Sequence, residues 1–285
     1  MISEILTSKN SADPPFAQKS PVDFKAIPSN AILGIRFHSI SLPQTIQVLN
    51  GFVQERVPRH IILGNAYTIA LSRQDHAFKT LLNKADLTLA DGMSIVWGGH
   101  WIGLNLPGRV AGPDLTAALC EEASLKGYRV FFLGSTHENL AILLRVLTAR
   151  WPGLIIAGSH SPSICDRLDE KENSAIMEEI HRAKPDILFV GMSAPKQEKW
   201  IAENLHLLQV PVCLGVGAAF DFLSGRIPRA PQQLQKIGLE WLYRLWCEPR
   251  RLWKRYLLGN AVFLSLLLRD ALKQRFNGTQ VPRLH

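Results

Sequence analysis

Three stretches of this chain place polar or charged side chains just beyond an apolar run. Asp91-Gly92 follows Leu87-Thr-Leu-Ala90. Arg109 lies in Gly108-Arg-Val-Ala-Gly-Pro-Asp114. Pro195-Lys-Gln-Glu198 comes shortly after Asp186-Ile-Leu-Phe-Val-Gly191. A carboxylate held at the end of a buried strand is partly desolvated and suits a general base. The more ordinary use of Asp-Gly is a turn or a helix cap. An arginine in a Gly-rich loop ahead of a helix suits an anionic ligand, through bidentate contact and the helix dipole. Its alternative use is a surface salt bridge with Asp114. In the third stretch, Pro195 fits the first turn of a helix, and Glu198 is favoured in that turn by the dipole. Gln197, an uncharged double-ended hydrogen bonder, is the residue expected to contact substrate, with Lys196 second.

Other chemistries are poorly supported. Gly215-Val-Gly-Ala-Ala-Phe220 begins like a dinucleotide fingerprint but lacks the third glycine and follows the last strand, so a nicotinamide or flavin site is rejected. There is no P-loop, H-E-x-x-H, G-x-S-x-G or D-x-D, and the nine histidines show no i, i+4 metal pairing. The four cysteines, Cys120, Cys165, Cys213 and Cys247, are far apart and form no C-x-x-C pair. They read as buried, reduced thiols.

The elements that must position these residues follow one pattern. Apolar runs closed by glycine alternate with helical spacing: strands at 60–64, 87–90, 127–135, 154–158, 186–191 and 210–217, and helices at 66–83, 113–126, 137–150, 169–183 and 195–208. Such alternation implies a Rossmann-like α/β architecture, a mostly parallel sheet flanked by helices. Ligands in open α/β sheets bind beyond the strand carboxyl ends. There the sequence puts Asn65, Asp91, Gly134-Ser135, Gly191 to Glu198, and Gly215 to Asp221.

Residues 1–30 carry no continuous apolar core and read as a disordered or loosely attached arm, not a signal peptide. Residues 31–225 read as the α/β domain. Residues 226–285 read as a basic, amphipathic helical appendage with helices at 232–247 and 250–275. The net charge of +8 is concentrated there, with nine Lys/Arg against three acids from residue 240 onward. The apolar run Tyr256–Leu268 is too short to cross a bilayer. With Trp241, Trp246 and Trp253 beside it, it suits a helix lying on a membrane surface; the alternative is a helix packed on the core. The basic residues alternate with long aliphatic ones, without aromatic stacking spacing, so nucleic acid is not expected as a partner.

Taken together, Asn65, LADG (89–92), RVAGPDL (109–115), LGS (133–135), PKQEKWI (195–201), GVGAAFDFLSG (215–225), RAP (229–231) and GLEWLYRL with EPRR (238–251) resemble the WecG/TagA/CpsF family of bacterial glycosyltransferases. The resemblance implies an inverting, UDP-sugar-dependent transferase that adds a sugar such as N-acetylmannosamine or its uronic acid to a polyprenyl-diphosphate-linked acceptor. It implies a peripheral enzyme at the cytoplasmic face of the membrane, serving cell-surface polysaccharide synthesis. It places the general base on Asp91, substrate contacts on Asn65, Arg109 and Gln197, and appendage arginines for the diphosphate on Arg229, Arg244 and Arg251. Backbone N–H groups near Ser135 and Gly217, with Gly215 and Asp221, complete the expected substrate site. Without D-x-D, cationic side chains are expected to replace a divalent metal, so no cofactor is expected. Where the family often has threonine, this chain has Leu63, which leaves the sugar open. UDP-glucose or another UDP-hexose as donor, or a non-catalytic scaffold, are the alternative readings, and a homo-oligomer is compatible with either.

Overall fold

In the computed structural model, residues 24–163, 168–253, 256 and 259–276 are described, apart from the side chains at 236, 251 and 270–276. Of the stretch expected as a loose arm, residues 24–30 contribute a 3-10 turn at Phe24–Ala26 and the start of a strand, and residues 1–23 lie outside the described residues.

The main sheet has six described strands, all parallel: β3 (Arg59–Gly64), β4 (Leu87–Ala90), β5 (Arg129–Gly134), β6 (Ile155–His160), β7 (Ile187–Gly191) and β8 (Val212–Gly215). Their order is β4-β3-β8-β7-β5-β6. A separate antiparallel hairpin, β1 (Ser29–Ile32) and β2 (Ile35–His38), was not anticipated from the sequence. It is tied to β4 by Thr88 N–H donating to His38 Nδ1 at 3.0 Å.

Period-two alternation sorts the sheet's side chains onto two faces. Phe132, Phe189 and Leu214 join a cluster with Leu49, Leu119 and Leu143. Their neighbours Phe131, Leu188 and Cys213 pack instead with Ile176, Ile180 and Ile201. Helices α1 (Leu42–Glu55), α5 (Gly112–Lys126) and α6 (His137–Arg150) thus cover one face, and α7 (Glu170–Ala183) and α8 (Lys196–Leu208) the other. The six-strand parallel sheet bears out the α/β expectation.

Several expected helices are divided. The stretch 66–83 is two helices, α2 (Ala66–Gln74) and α3 (His76–Lys84), because Asp75 leaves the helical conformation and its carboxylate accepts from Phe78 N–H at 2.8 Å. That is an N-cap, which starts a new helix. Residues 93–101, not recognised as helical, form α4 (Met93–Trp101). The appendage comprises α10 (Gln232–Lys236), α11 (Glu240–Cys247), α12 (Pro249–Trp253) and α13 (Gly259–Phe276), after the short α9 (Ala219–Leu223). A left-handed Gly238, φ +71°, divides the expected helix 232–247.

The last helix is not simply a surface helix. Phe263 and Leu267 of α13 are buried with Ile69 of α2 and Ile95 of α4, whereas Val262, Leu264 and Leu268 are exposed. The core-packing alternative therefore holds for one stripe of α13. Cys120 and Cys213 are buried, and burial pushes both thiols up; Cys247 is exposed, which corrects the expectation of uniformly buried thiols. Cys165 lies outside the described residues.

Candidate active site

A cleft of about 820 Å³ lies at the carboxyl ends of the strands, roofed by the appendage. It collects Asn65 just past β3, Asp91 just past β4, Ser135 just past β5, Gln197 after β7, Gly215 at the end of β8, and Gly217 and Asp221 beyond it. Arg109 and, from the appendage, Arg244 line it as well. The residues expected at the strand ends thus share one cleft.

Asp91 is held from two sides. Gly112 N–H, at the open start of α5, donates to Asp91 Oδ1 at 2.9 Å. Asn65 Nδ2 lies 3.4 Å from Oδ2. The first turn of a helix leaves N–H groups without internal partners and carries partial positive charge. Asp91 supplies that partner from another segment, so it serves as a tertiary cap while still facing the cleft. The capping use of the Asp-Gly pair is therefore realised, on a helix distant in sequence, and the carboxylate still lines the cleft. Asn65 is likewise doubly used: its Oδ1 caps α2, accepting from Tyr67 N–H at 3.1 Å and Thr68 N–H at 3.2 Å, which leaves its amide nitrogen toward Asp91. Leu63 is buried beside Gly112 and lines the same cleft.

Gln197 is buried with both ends of its amide engaged. Its Oε1 accepts from Gly217 N–H at 3.0 Å, and its Nε2 donates to Glu198 Oε1 at 2.8 Å. A Cβ at Gly215 would come within 2.6 Å of Gln197 Nε2, so glycine is needed there for the close approach. Gln197 thus shapes the β8–α9 loop from below, in addition to lining the cleft. Lys196 opens α8.

Asp221 is reached by Asn139, which the sequence reading missed. Asn139 Nδ2 donates to Asp221 Oδ1 at 3.0 Å and to Ser135 Oγ at 2.8 Å, while its Oδ1 accepts from Ser224 Oγ at 2.6 Å. One buried amide thereby ties the loops after β5 and β8. The only sequence signal was a polar residue on the inward stripe of helix 137–150.

The arginines sort into two kinds. Arg109 does not pair with Asp114; its Nη1 lies 2.6 Å from Glu240 and its Nη2 donates to Gln235 at 3.1 Å. Asp114 is taken by Arg229, whose Nη2 donates to its Oδ2 at 2.7 Å, and Arg229 Nε also reaches Glu240 at 3.3 Å. Glu240 was the second omission; an isolated acid at the start of a basic segment was the available signal. Arg244 differs. Its Nε and Nη2 are buried with no hydrogen-bond partner among the described residues, Glu248 is 3.9 Å away, and the guanidinium sits 4.9 Å over the Phe222 ring. Buried donors without partners cost about 1–3 kcal/mol each, and an anion in the cleft would relieve that cost. Arg251 lies in α12, with its side chain outside the described residues. Among the described residues no group of His, Cys, Asp and Glu could hold a metal ion, and no helix is long and apolar enough to cross a membrane.

The model of the glycosyl transferase WecG/TagA/CpsF family matches residues 30–277. A Bacillus spizizenii protein named N-acetylglucosaminyldiphosphoundecaprenol N-acetyl-beta-D-mannosaminyltransferase is 34% identical over 184 residues, covering 65% of this chain and 69% of that protein. A Staphylococcus aureus protein of the same name is 28% identical over 226 residues, covering 79% of this chain and 85% of that protein.

Proposed function

The chain belongs to the WecG/TagA/CpsF family of glycosyl transferases, and on that premise we propose that it moves an N-acetylhexosamine-type sugar, such as N-acetylmannosamine or its uronic acid, from a UDP-sugar to a sugar carried on polyprenyl diphosphate. Transfer proceeds with inversion. The named relatives support the acceptor and the sugar class, because both act on N-acetylglucosaminyl-diphosphoundecaprenol and transfer N-acetylmannosamine.

The observation that carries the mechanism is the sharing of one cleft by the Asp91 carboxylate and the Arg244 guanidinium, whose Nε and Nη2 have no hydrogen-bond partner among the described residues. Asp91 takes the proton from the acceptor hydroxyl as that oxygen bonds to the anomeric carbon. The anomeric C–O bond to UDP breaks on the opposite side, and its electron pair leaves on the β-phosphate. Arg244 meets the charge that develops there, in a site where fixed donors need no reorganisation. Arg109 and Arg229 hold the roof through Glu240 and Asp114. The Gly217 backbone, fixed by Gln197, and the loop after β5, fixed by Asn139, give the donor a rigid bed.

The appendage supports work at the inner membrane surface. Leu242 and Trp246, one turn apart on α11, are both exposed, as is Trp253 on α12. Tryptophans at the end of a basic segment suit the lipid headgroup layer.

The test is turnover of a panel of UDP-sugars with lipid-linked N-acetylglucosamine as acceptor. Release of UDP coupled to a β-linked product, fastest with an N-acetylhexosamine donor, is expected. Preference for UDP-glucose by tenfold or more, or no transfer from any UDP-sugar, would overturn the reading.

A further inference from the structure

The cleft changes character along its length. At the strand ends it is polar, with Asn65, Asp91, Gln197 and Asp221. Between α4 and α13 its walls are Met93, Trp97, Trp101, Phe263, Leu264 and Leu267. Neither wall carries an Asp, Glu, Lys or Arg here: α4 reads Met-Ser-Ile-Val-Trp-Gly-Gly-His-Trp, and its His100 Nε2 lies 2.9 Å from Leu106 O. The facing part of α13, residues 261–268, reads Ala-Val-Phe-Leu-Ser-Leu-Leu-Leu.

The floor of this part is closed. A Cβ on Gly98 would lie 2.9 Å from both Leu267 and Phe263, so the two helices touch at the glycine. The rims are open. Trp97, Trp101 and Leu264 are 49%, 50% and 51% exposed. Trp97 and Trp101 are one turn apart and share a helix face. Two half-exposed tryptophans facing an exposed leucine inside a cleft are an apolar surface that calls for a ligand.

The groove is continuous with the anionic end. Trp97 abuts Gly238, where a Cβ would fall 2.3 Å from its ring, and Gly238 lies two residues before α11, which brings Arg244 to the cleft. The cleft is therefore cationic at one point and apolar directly beyond it. That sequence matches an amphiphile with an anionic head and a hydrocarbon tail.

We infer that the α4–α13 groove binds the first isoprene units of the acceptor's own polyprenyl chain, so that the enzyme recognises the lipid as well as the sugar. The inference rests on the acceptor assigned above. The chain leaves the diphosphate between Trp97, Trp101 and Leu264 and continues to the membrane past the exposed Leu268.

The experiment compares two soluble acceptors, N-acetylglucosaminyl diphosphate esterified with a methyl group or with a two-isoprene chain, without vesicles or detergent. Burying several methylenes predicts that wild-type kcat/KM is about 100-fold higher for the prenyl ester. In Trp101→Ser and Leu264→Asn that preference should fall to about threefold, because the methyl ester has no chain to lose. Leu264→Ala, a milder change, should give an intermediate value. Equal rates on both esters in the wild type, or an undiminished preference in the variants, would overturn the inference. In a separate sedimentation assay with anionic phospholipid vesicles, variants that keep the ester preference and lose only vesicle binding would also overturn it, since the groove would then be a membrane contact. A wild type that turns over neither ester would instead count against the proposed function.

Discussion

Arg109 and Glu240, 131 residues apart in the chain, meet at 2.6 Å where the loop before α5 touches the first turn of α11. Glu240 also reaches Arg229, which in turn holds Asp114 at the start of α5. Four charges from the core and the appendage thus form one partly buried network, and it fastens the roof over the cleft.

Removing its centre should loosen that roof. Glu240→Ala leaves Arg109 and Arg229 facing each other without their shared carboxylate. Breaking a largely buried pair from one side costs about 3 kcal/mol, an upper figure here because both side chains keep some exposure. Thermal melting of the variant should fall by several degrees, and activity should fall further than stability does. Native-like melting with native-like kcat/KM would show that the network does not hold the roof.

Asp91→Asn tests the base. The amide oxygen can still accept from Gly112 N–H, so α5 keeps its cap and the fold should survive. Proton removal is lost, which lowers kcat by about 10²–10⁴. The check is steady-state kinetics beside a melting curve; a folded variant with near-normal turnover removes Asp91 from that role.

The sheet and the strand-end residues were legible in the sequence because buried parallel strands are short apolar runs ending in glycine, and each run placed its polar neighbour at the same edge. Tertiary partners were not legible. Whether Arg109 would meet Asp114 or Glu240 depends on where α11 docks, and local spacing carries no record of that. Asp75 inside 66–83 fitted a helical pattern until its side chain capped α3. The hairpin β1–β2 and helix α4 escaped for a related reason. The α4 segment is apolar on nearly all sides and carries two adjacent glycines, Gly98 and Gly99, so it shows no clear period.

Gly215→Ala should be disproportionately harmful for a single methyl. The new Cβ would lie 2.6 Å from Gln197 Nε2 and 2.9 Å from its Cγ. Gln197 must move, and its bond to Gly217 goes with it. Overpacking of this kind costs about 1–3 kcal/mol. The donor KM should rise at least as much as kcat falls, because the loop after β8 is displaced. An unchanged donor KM would show that this loop does not bind the nucleotide.

Arg244 offers a route to leaving-group stabilisation without a metal ion. Activity should persist in EDTA, and Arg244→Ala should lower kcat by about 10²–10³, as for removal of a donor aimed at developing charge. Abolition of wild-type activity by EDTA with restoration by magnesium or manganese would reverse the assignment. So would a fully active Arg244→Ala enzyme.

Acid should destabilise the fold through His60. Burial lowers its pKa to about 4, with the charge of Asp86 pulling the other way, and its Nε2 has no hydrogen-bond partner among the described residues. The folded pKa is below the unfolded value, so the unfolded chain binds the extra proton first. The contribution of neutral His60 is therefore intact above about pH 6.5 and is lost progressively as pH falls toward 4. The loss is on the order of 3 kcal/mol, at about 1.4 kcal/mol per tenfold difference in proton affinity. His38, lowered chiefly by burial, acts in the same direction. Urea unfolding at several pH values between 7.5 and 4 should show a steep fall in the wild type and a shallower one in His60→Gln, which has no proton to gain. Parallel curves for the two proteins would show that His60 is not the source of the acid sensitivity.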